Sequence, residues 1–497
     1  MLRAESNAIP AHVDVTSRVL SRLYLNRIAD HRVQIESPPH SCVLNLILPT
    51  QHWPLMSTPR ADGERKIFLP IAEMEGMKCA YESCSTTSQD AQLRLCAGCK
   101  QAVYCSSQCQ KLDWKKSHKP ACGKTQIINL ESYHPILGYI SHLCHEHPAV
   151  PVHFALKEYI RYIELPPDEE GEISPLVMHG LPLPPGSTPL EEWCTTEVSH
   201  DDRLRLRHRL KYDGHVLPIV LATCVALAAE LYATDVSSST ANEKRLRLSI
   251  ANSPVTDFGI VTGIADVGDE NRLAFQNIIT GEWSVNQSPE DHYWIYFKTL
   301  AGHDFFVDYG MFSFNFPGML NIKPYKFPLM DGVDEIPGFF FTTATNVTAP
   351  TVLDGGVWIE DNRFSVLRES TLESFFKLTC ESALADKAAM TALYSFMDKV
   401  SDHDCTALDT NLLKVFVQIA RKTIRSNVVG KQYLEFPERP RLVFWPPPEV
   451  PDDPQIEQRT VKRVKVLARK INKGEITRWE AQDMFIAWQK KQKAKKK

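Results

Sequence analysis

The sequence predicts a small domain organised by cysteine and histidine side chains within a larger protein of mixed α and β structure. Two observations support this prediction. Seven of the thirteen cysteines fall between Cys79 and Cys122, whereas the other six are scattered along the chain. Outside this cluster, segments with helical periodicity alternate with segments rich in aromatic and β-branched residues, and that mixture is typical of an α+β protein.

The composition is that of a folded protein with an ordinary charge balance. Of the 497 residues, 43% are hydrophobic and 23% are charged, which is enough apolar material for buried cores. The net charge of −4 excludes a strongly basic protein that coats nucleic acid. Met1–Leu20 lacks a signal-peptide pattern, and the longest apolar run, Val216–Ala229, is shorter than the roughly 20 residues of a membrane span. We therefore expect an intracellular protein, in the nucleus or the cytoplasm, without a membrane span.

The chain divides into eight regions at changes in composition and periodicity. By residue number they are a mixed N-terminal segment (1–75), the cysteine-rich segment (76–124), a helical segment (125–165), a proline-rich loop or linker (166–190), an α+β region with a β-hairpin (191–325), a mainly helical region (326–440), a proline-rich break and connector (441–475), and an amphipathic helix with a basic tail (476–497). Seven prolines and four acidic residues between Pro166 and Pro189 predict the exposed loop.

Local sequence patterns predict a helix, a strand and a hairpin in these regions. A helix is expected around Val15–Arg27, and an apolar strand is expected at Cys42–Leu48, where Pro49 ends it. The runs His292–Phe297 and Asp304–Tyr309 are rich in aromatic and β-branched residues and flank a short turn that contains glycine. This pattern predicts a β-hairpin.

Two helical segments are predicted in the C-terminal part of the chain. Ser370 and Glu373 form a possible capping box at the start of the first segment. Thr477 and Glu480 form another at the start of the second, where four apolar residues follow at helical spacing. A lysine-rich tail ends the chain and is expected to be a solvated surface, a nuclear-import signal or a contact with anionic partners.

The cysteine-rich segment contains eight side chains that can bind a metal ion. They are Cys79, Cys84, Cys96, Cys99, Cys105, Cys109, His118 and Cys122. They form four pairs with two to four intervening residues, and such spacing lets two ligands from one turn reach the same ion. Structural zinc sites hold four cysteines, or three cysteines and a histidine, and leave no open position. Eight ligands therefore predict two structural zinc ions, although spacing alone leaves the combination of the pairs open.

The segment closely resembles the MYND-type zinc finger. The order of six cysteines, one histidine and one cysteine distinguishes it from PHD and RING fingers, in which the histidine comes earlier. The resemblance is carried by Cys96-Ala-Gly-Cys99, Val103-Tyr-Cys-Ser-Ser-Gln-Cys-Gln110, Asp113-Trp114 and His118-Lys-Pro-Ala-Cys122. It covers 44 of the 497 residues, and the long flanks without a recognised pattern are similar to those of fungal-type MYND proteins.

The resemblance implies a cross-braced fold in which alternate pairs share an ion. The first zinc would bind Cys79, Cys84, Cys105 and Cys109, and the second would bind Cys96, Cys99, His118 and Cys122. One departure from the family is the opening pair, which has four intervening residues where two are usual, so Cys79 is the ligand that the resemblance supports least. The expected fold class is thus a small cross-braced two-zinc MYND finger within a larger mixed α+β protein.

The resemblance also implies a function, since MYND fingers bind short proline-containing peptides. Gln110 and Trp114 match the family positions that contact the ligand, and tryptophan offers apolar area, a flat face and an N–H donor. The finger has six basic and three acidic residues, which cancel against seven thiolates and two Zn²⁺, so its lysines give no nucleic-acid signal. We therefore expect an adaptor or scaffold protein whose partner is a protein.

An enzyme carrying a MYND module is the alternative. SET-domain lysine methyltransferases contain such modules, but the Asn-His-Ser-Cys string is absent here. His292 and Asp308 resemble the histidine and aspartate of transglutaminase-like or papain-like cysteine hydrolases, and Cys224 would be the upstream nucleophile. A helix N-terminus and a protonated histidine would favour its thiolate. Cys224 lies within an apolar run, however, where a buried and inert cysteine is the expected outcome.

Overall fold

The computed structural model describes much of the chain from residue 65 onward. The described residues are 65–72, 76–123, 125–164, 175–184, 186, 189–235, 245–267, 271–316, 318–325, 327, 333–342, 357–401, 403–444, 466, 470, 484 and 488. The helix predicted at Val15–Arg27, the strand predicted at Cys42–Leu48 and the basic tail lie outside these residues. Of the predicted C-terminal helix, Met484 and Trp488 are described, and both are helical.

Most strands in the described part of the chain are short. They are β1 (Arg65–Ile67), β2 (Arg94–Leu95), β3 (Val103–Tyr104), β4 (Thr125–Asn129), β5 (Glu158–Glu164), β6 (Pro175–Pro182), β7 (Ala233–Asp235), β8 (Arg245–Ile250), β9 (Ser253–Asp266), β10 (Ala274–Asn277), β11 (Trp283–Val285), β12 (His292–Thr299), β13 (Asp304–Asp308), β14 (Gly318–Asn321), β15 (Glu335–Pro337), β16 (Phe339–Thr342), β17 (Val357–Ser365) and β18 (Leu442–Phe444).

The helices fall into a group in the cysteine-rich segment and a longer group elsewhere. They are α1 (Ser107–Asp113), α2 (Lys119–Cys122), α3 (Leu130–His145), α4 (Leu190–Trp193), α5 (His200–Lys211), α6 (Val216–Leu227), α7 (Glu373–Lys377), α8 (Cys380–Ala385), α9 (Lys387–Val400) and α10 (Ala407–Val429). A π-helical turn, Trp114–His118, joins α1 to α2, and a second one, Ala228–Tyr232, follows α6.

The largest sheet in the described residues has seven strands. Its order is β16-β13-β12-β9-β8-β4, and β17 also pairs with β9. β12 and β13 pair antiparallel, which confirms the predicted hairpin. Side chains alternate between the faces of a strand: Tyr293, Ile295 and Phe297 of β12 belong to the main hydrophobic core, whereas Trp294 and Tyr296 belong to a separate aromatic cluster.

Helices α3 and α6 pack against this sheet, and α10 packs against both of these helices. Every residue of α6 is buried, as the apolar run in the sequence predicts. In α10, Leu412 and Phe416 are buried and Val415 and Ile419 pack against the same core, which gives one apolar face. Among the described residues, no single helix is long and apolar enough to cross a membrane. Helix α5 and the run Val216–Tyr232 reach the required length and apolar composition only when they are taken together, and the angle between them is 68°.

A four-stranded sheet forms a second core. Its order is β11-β10-β6-β5, and Val177 and Phe275 pack with residues of α4 and α5. Arg209 of α5 is buried and donates hydrogen bonds to the backbone oxygens of Ser313 and Asn271, at 3.0 and 2.5 Å. These bonds provide partners for a buried charge and tie α5 to the segments that follow β9 and β13.

Strands are present in three regions where the sequence predicts helix or loop. The segment 125–165 was predicted to be helical, but β4 and β5 lie on either side of α3. The predicted proline-rich loop contains β6, whose prolines stand at its two ends, where a strand tolerates them. In 326–440, strands β15 to β17 precede the helices. Short apolar runs do not distinguish strand from helix by periodicity alone, and partners distant in sequence decide between them.

Two buried histidines make the main body of the protein sensitive to acid. Burial lowers the pKa of His134 to about 4 and the pKa of His142 to about 4. In the unfolded chain a histidine gains its proton near pH 6.5, whereas in the folded protein these two gain it only near pH 4. The contribution of each histidine to folding stability is therefore complete above about pH 6.5 and is lost as the pH falls from there through about 4. We expect the free energy of unfolding to fall by up to about 3 kcal/mol per histidine across this interval.

Urea unfolding at a series of pH values, followed by tryptophan fluorescence, measures this dependence. His134→Asn should reduce the slope of unfolding free energy against pH, because asparagine has no proton to gain. His303 is exposed in the turn between β12 and β13, and His303→Asn is the matched control that should keep the full slope. An unchanged slope in His134→Asn would contradict the assignment.

Candidate metal centre

The first two ligands lie on a loop that is fastened to a short hairpin. We call residues 79–122 the finger. Its strands β2 and β3 pair antiparallel, and the Ala80 N–H donates to the Val103 oxygen at 2.8 Å. The Cys79 N–H donates to the Thr86 oxygen at 2.9 Å and closes the loop that contains Cys84. The backbone therefore positions this cysteine pair against β3.

The second pair, Cys96 and Cys99, lies in the turn between β2 and β3. The Cys96 N–H donates to the Ala102 oxygen at 2.8 Å, and the Cys96 oxygen accepts from Lys100 at 3.0 Å. Such a tight turn directs both sulfurs to the same side. A Cβ atom at Gly98, within the turn, would lie 2.9 Å from the Cys122 sulfur. Glycine at this position thus leaves room for a ligand from the far end of the finger.

The remaining ligands are placed by the helical part of the finger. Ser106 caps α1, where its Oγ accepts from the Cys109 N–H at 3.2 Å. The π-helical turn after α1 has more residues per turn than an α-helix, and it turns His118 inward, where this side chain is 8% exposed. Trp114, at the start of the same turn, is 39% exposed. The turn therefore separates an inward ligand from an outward aromatic side chain.

The eight predicted ligands come together as two clusters of four. Cluster one is Cys79, Cys84, Cys105 and Cys109, and cluster two is Cys96, Cys99, His118 and Cys122. Within each cluster, all four ligand atoms lie within 4.8 Å of one another. Each cluster joins pairs that are not consecutive in sequence, so the finger is cross-braced. The pairing that spacing left open is thus the one that the family resemblance implied.

The distances between ligand atoms fit a tetrahedral zinc ion. With Zn–S about 2.3 Å and Zn–N about 2.0 Å, two sulfurs of a tetrahedron lie about 3.8 Å apart and a sulfur and a nitrogen about 3.5 Å apart. In cluster one, the Cys105 sulfur is 3.6 Å from that of Cys84 and 3.5 Å from that of Cys109. In cluster two, His118 Nε2 is 3.3 and 3.5 Å from the sulfurs of Cys96 and Cys99. The two clusters are therefore compatible with two zinc ions.

The surroundings of the sulfurs differ in how well they support a thiolate, the form that binds metal. Hydrogen bonding with Thr86, whose Oγ1 lies 3.3 Å from the sulfur, lowers the pKa of the Cys84 thiol to about 6. Burial raises the pKa of the Cys122 thiol to about 12. A bound cation overrides such differences because its charge deprotonates a coordinating thiol. Cys122 therefore needs the charge of the ion to become a thiolate, whereas Cys84 needs it less.

Two supporting residues were not identified from the sequence. Tyr104 is buried and its hydroxyl donates to Asp113 at 2.7 Å, and Asp113 also accepts from the Ser117 hydroxyl at 2.5 Å. The Tyr104 and His118 rings meet edge to face at 5.8 Å. Asp113 thereby anchors the end of α1 to the hairpin beside cluster two. The only sequence signal was that both residues belong to the strings that resemble the family.

The residues of the alternative enzymatic interpretation are only partly assembled. His292 Nε2 and Asp308 Oδ2 are 2.7 Å apart, and both side chains are fully buried. Cys224 is the ninth residue of α6, not near its N-terminus, and burial strongly raises the pKa of its thiol. Val216 at the start of α6 lies beside Gly310, next to His292, and eight further residues along a helix cover about 12 Å. The structure thus pairs the histidine with the aspartate and gives Cys224 neither a helix N-terminus nor solvent access.

This geometry defines a class of domain, a cross-braced finger with two sites of four ligands each. The family model described as the MYND finger matches residues 79–122. The chain therefore contains a MYND finger, which occupies 44 of its 497 residues. Comparisons with curated proteins and with solved structures gave no match.

Loss of one ligand should open one site and unfold the finger. Native mass spectrometry should find two zinc ions per unmodified chain, and Cys99→Ser should lose the ion of cluster two. Apparent zinc-binding free energies of roughly 10–16 kcal/mol in finger peptides make folding depend on the ion, so amides of the finger should lose protection from hydrogen exchange. Cys405, a partly exposed cysteine outside the finger, supplies the control Cys405→Ser, which should retain both ions. One zinc in the unmodified protein would contradict the cross-brace.

The contact at Gly98 gives a finer test. In Gly98→Ala, the new methyl group would displace the Cys122 sulfur, so the protein should lose the zinc of cluster two to a competing chelator roughly 10–100-fold more readily, the range seen when support of a metal ligand is disturbed. Gly123 is the matched control because a Cβ there would meet its nearest neighbour at 3.5 Å. Equal zinc retention in Gly98→Ala and Gly123→Ala would show that the contact has no effect.

Proposed function

We propose that this protein is an adaptor or scaffold whose finger holds two structural zinc ions and binds a short proline-containing peptide of a protein partner. The observation that carries the proposal is the exposure of Trp114 on a helical segment with metal ligands on both sides. Cys109 precedes this tryptophan, and His118 and Cys122 follow it. The proposed ions are structural, because each cluster supplies four donors and leaves no position for water or substrate.

The orientation of Trp114 favours binding over a core role. Its ring lies 5.8 Å from the His118 ring, tilted by 59°, so one side packs on a ligand while 39% of the residue remains exposed. A side chain that is already held in place loses little rotational entropy when a ligand binds. Gln110 lies one turn earlier and is partly exposed, and its amide can donate to and accept from a peptide backbone.

A proline-containing segment is a suitable ligand for such a surface. Proline restricts the free peptide to extended conformations, so less entropy is lost on binding. The flat indole face supplies apolar area for the pyrrolidine ring, and the indole N–H can donate to a peptide carbonyl. The resemblance of Gln110 and Trp114 to the ligand-contacting positions of MYND fingers supports the same assignment.

Trp114→Ala should weaken peptide binding without releasing zinc. The expected loss is roughly 2–4 kcal/mol, typical of an aromatic hot spot. Fluorescence anisotropy with a labelled peptide containing Pro-x-Leu-x-Pro measures affinity, and native mass spectrometry of the same sample counts the ions.

Leu112 supplies the matched control. It lies on the same helix and is 42% exposed, but it is not one of the proposed contact positions. Leu112→Ala should therefore change affinity much less than Trp114→Ala. If Trp114→Ala also loses zinc, the tryptophan is a core residue of the finger. If both variants bind as tightly as the unmodified protein, the proposed surface is wrong.

A further inference from the structure

The two clusters differ in their access to solvent. In cluster two all four residues are buried, with none more than 8% exposed. In cluster one, Cys84, Cys105 and Cys109 are partly exposed, and only Cys79 is buried. A dissolved reagent can therefore reach sulfurs of cluster one while the backbone and side chains of the finger shield those of cluster two.

The clusters also differ in charge once an ion is bound. Four thiolates and one Zn²⁺ give cluster one a net charge of −2, whereas three thiolates, a neutral imidazole and one Zn²⁺ give cluster two −1. The higher negative charge makes the sulfurs of cluster one the better electron donors. Exposure and charge therefore both make the sulfurs of cluster one easier to oxidise than those of cluster two.

We propose that cluster one is a redox-sensitive site that peroxides oxidise before cluster two, so that the finger loses one zinc ion and keeps the other. The inference rests on the two-zinc finger of the proposed function and adds a regulation that the family assignment does not contain. Susceptibility of cysteine to oxidation follows exposure, which is higher in cluster one.

The chemistry balances with hydrogen peroxide as the two-electron oxidant. One thiolate of cluster one attacks a peroxide oxygen, an S–O bond forms, the O–O bond breaks and hydroxide leaves. A second thiolate attacks this sulfur, an S–S bond forms and the S–O bond breaks, with a second hydroxide as the leaving group. The two hydroxides take two protons from solvent and become water. Cys105 has two close sulfur neighbours, Cys109 at 3.5 Å and Cys84 at 3.6 Å, so we expect the disulfide to include it.

Oxidation of cluster one would act on the helix that presents the proposed peptide-binding residues. Cys105 lies just before α1 and Cys109 lies in its first turn, so cluster one fixes the beginning of this helix. His118 and Cys122 of cluster two fix its continuation. The helix would then be released at one end only. We expect Gln110 to lose its position, peptide affinity to fall, and the finger to refold when a thiol reductant and zinc are restored.

The test uses the full chain loaded with two zinc ions and treated with hydrogen peroxide in the presence of a metallochromic chelator. Zinc release should occur in two phases of one ion each, the first roughly tenfold faster or more. Samples alkylated after the first phase and mapped by mass spectrometry should contain a disulfide among Cys79, Cys84, Cys105 and Cys109, with the cysteines of cluster two still reduced. Cys405→Ser should behave identically, which shows that Cys405, a partly exposed cysteine outside the finger, is not the target.

Each other outcome overturns a defined part of the proposal. Release of both ions in one phase, or a first disulfide within cluster two, would refute the order of oxidation. Preferential oxidation of cluster one with unchanged affinity for the Pro-x-Leu-x-Pro peptide would refute the link to recognition. If the reduced two-zinc protein never binds this peptide, the proposed function fails, while the order of zinc release remains a separate result that supports or refutes the redox site.

Discussion

A segment of 44 residues buries too little apolar surface to fold stably on hydrophobic contacts alone, and small domains of this size usually need disulfides or metal ions. In the finger, the buried cluster consists of Cys79, Cys96, Cys99, Tyr104 and Cys122. Four of these five residues belong to the two clusters that can hold a metal ion. Coordination would thus replace the hydrophobic core, because the side chains that would bind the ions are those that fill the interior. Hairpin, loop and helix meet at the two clusters.

Cross-bracing has a consequence for the surface as well as for stability. Since each cluster joins pairs that are distant in sequence, neither half of the finger can fold around its own ion. The helical segment from Ser107 to Cys122 is therefore fixed by cluster one at its beginning and by cluster two at its end. Trp114 lies between these points and is partly exposed. The proposed peptide binding depends on this partly exposed aromatic side chain between two supports, and the proposed redox sensitivity depends on the unequal exposure of the two clusters.

The ligands could be predicted from the sequence because closely spaced cysteine and histidine pairs report local geometry directly. The pairing could not be predicted from spacing, since only five residues separate Cys99 from Cys105, and it needed the family resemblance. In the rest of the chain, α6 was predictable because its apolar residues occupy every face of the helix. Strand β17 was not predictable, because its partner β9 is far away in sequence. Strand β6 pairs with the neighbouring strand β5, but the prolines around it indicated a loop. The buried pair His292–Asp308 was recognised as a pair, and the burial of Cys224 was expected from the apolar run around it.

The central claim is that two interleaved sets of four ligands hold the finger together. NMR spectroscopy of protein substituted with NMR-active cadmium tests it most directly, because each cadmium couples to the β-protons of its own cysteine ligands. The account predicts two cadmium signals of equal intensity. One should correlate with Cys79, Cys84, Cys105 and Cys109, and the other with Cys96, Cys99 and Cys122 together with the His118 ring. A signal that correlates with Cys79, Cys84, Cys96 and Cys99 would show consecutive pairing and would contradict the cross-braced finger.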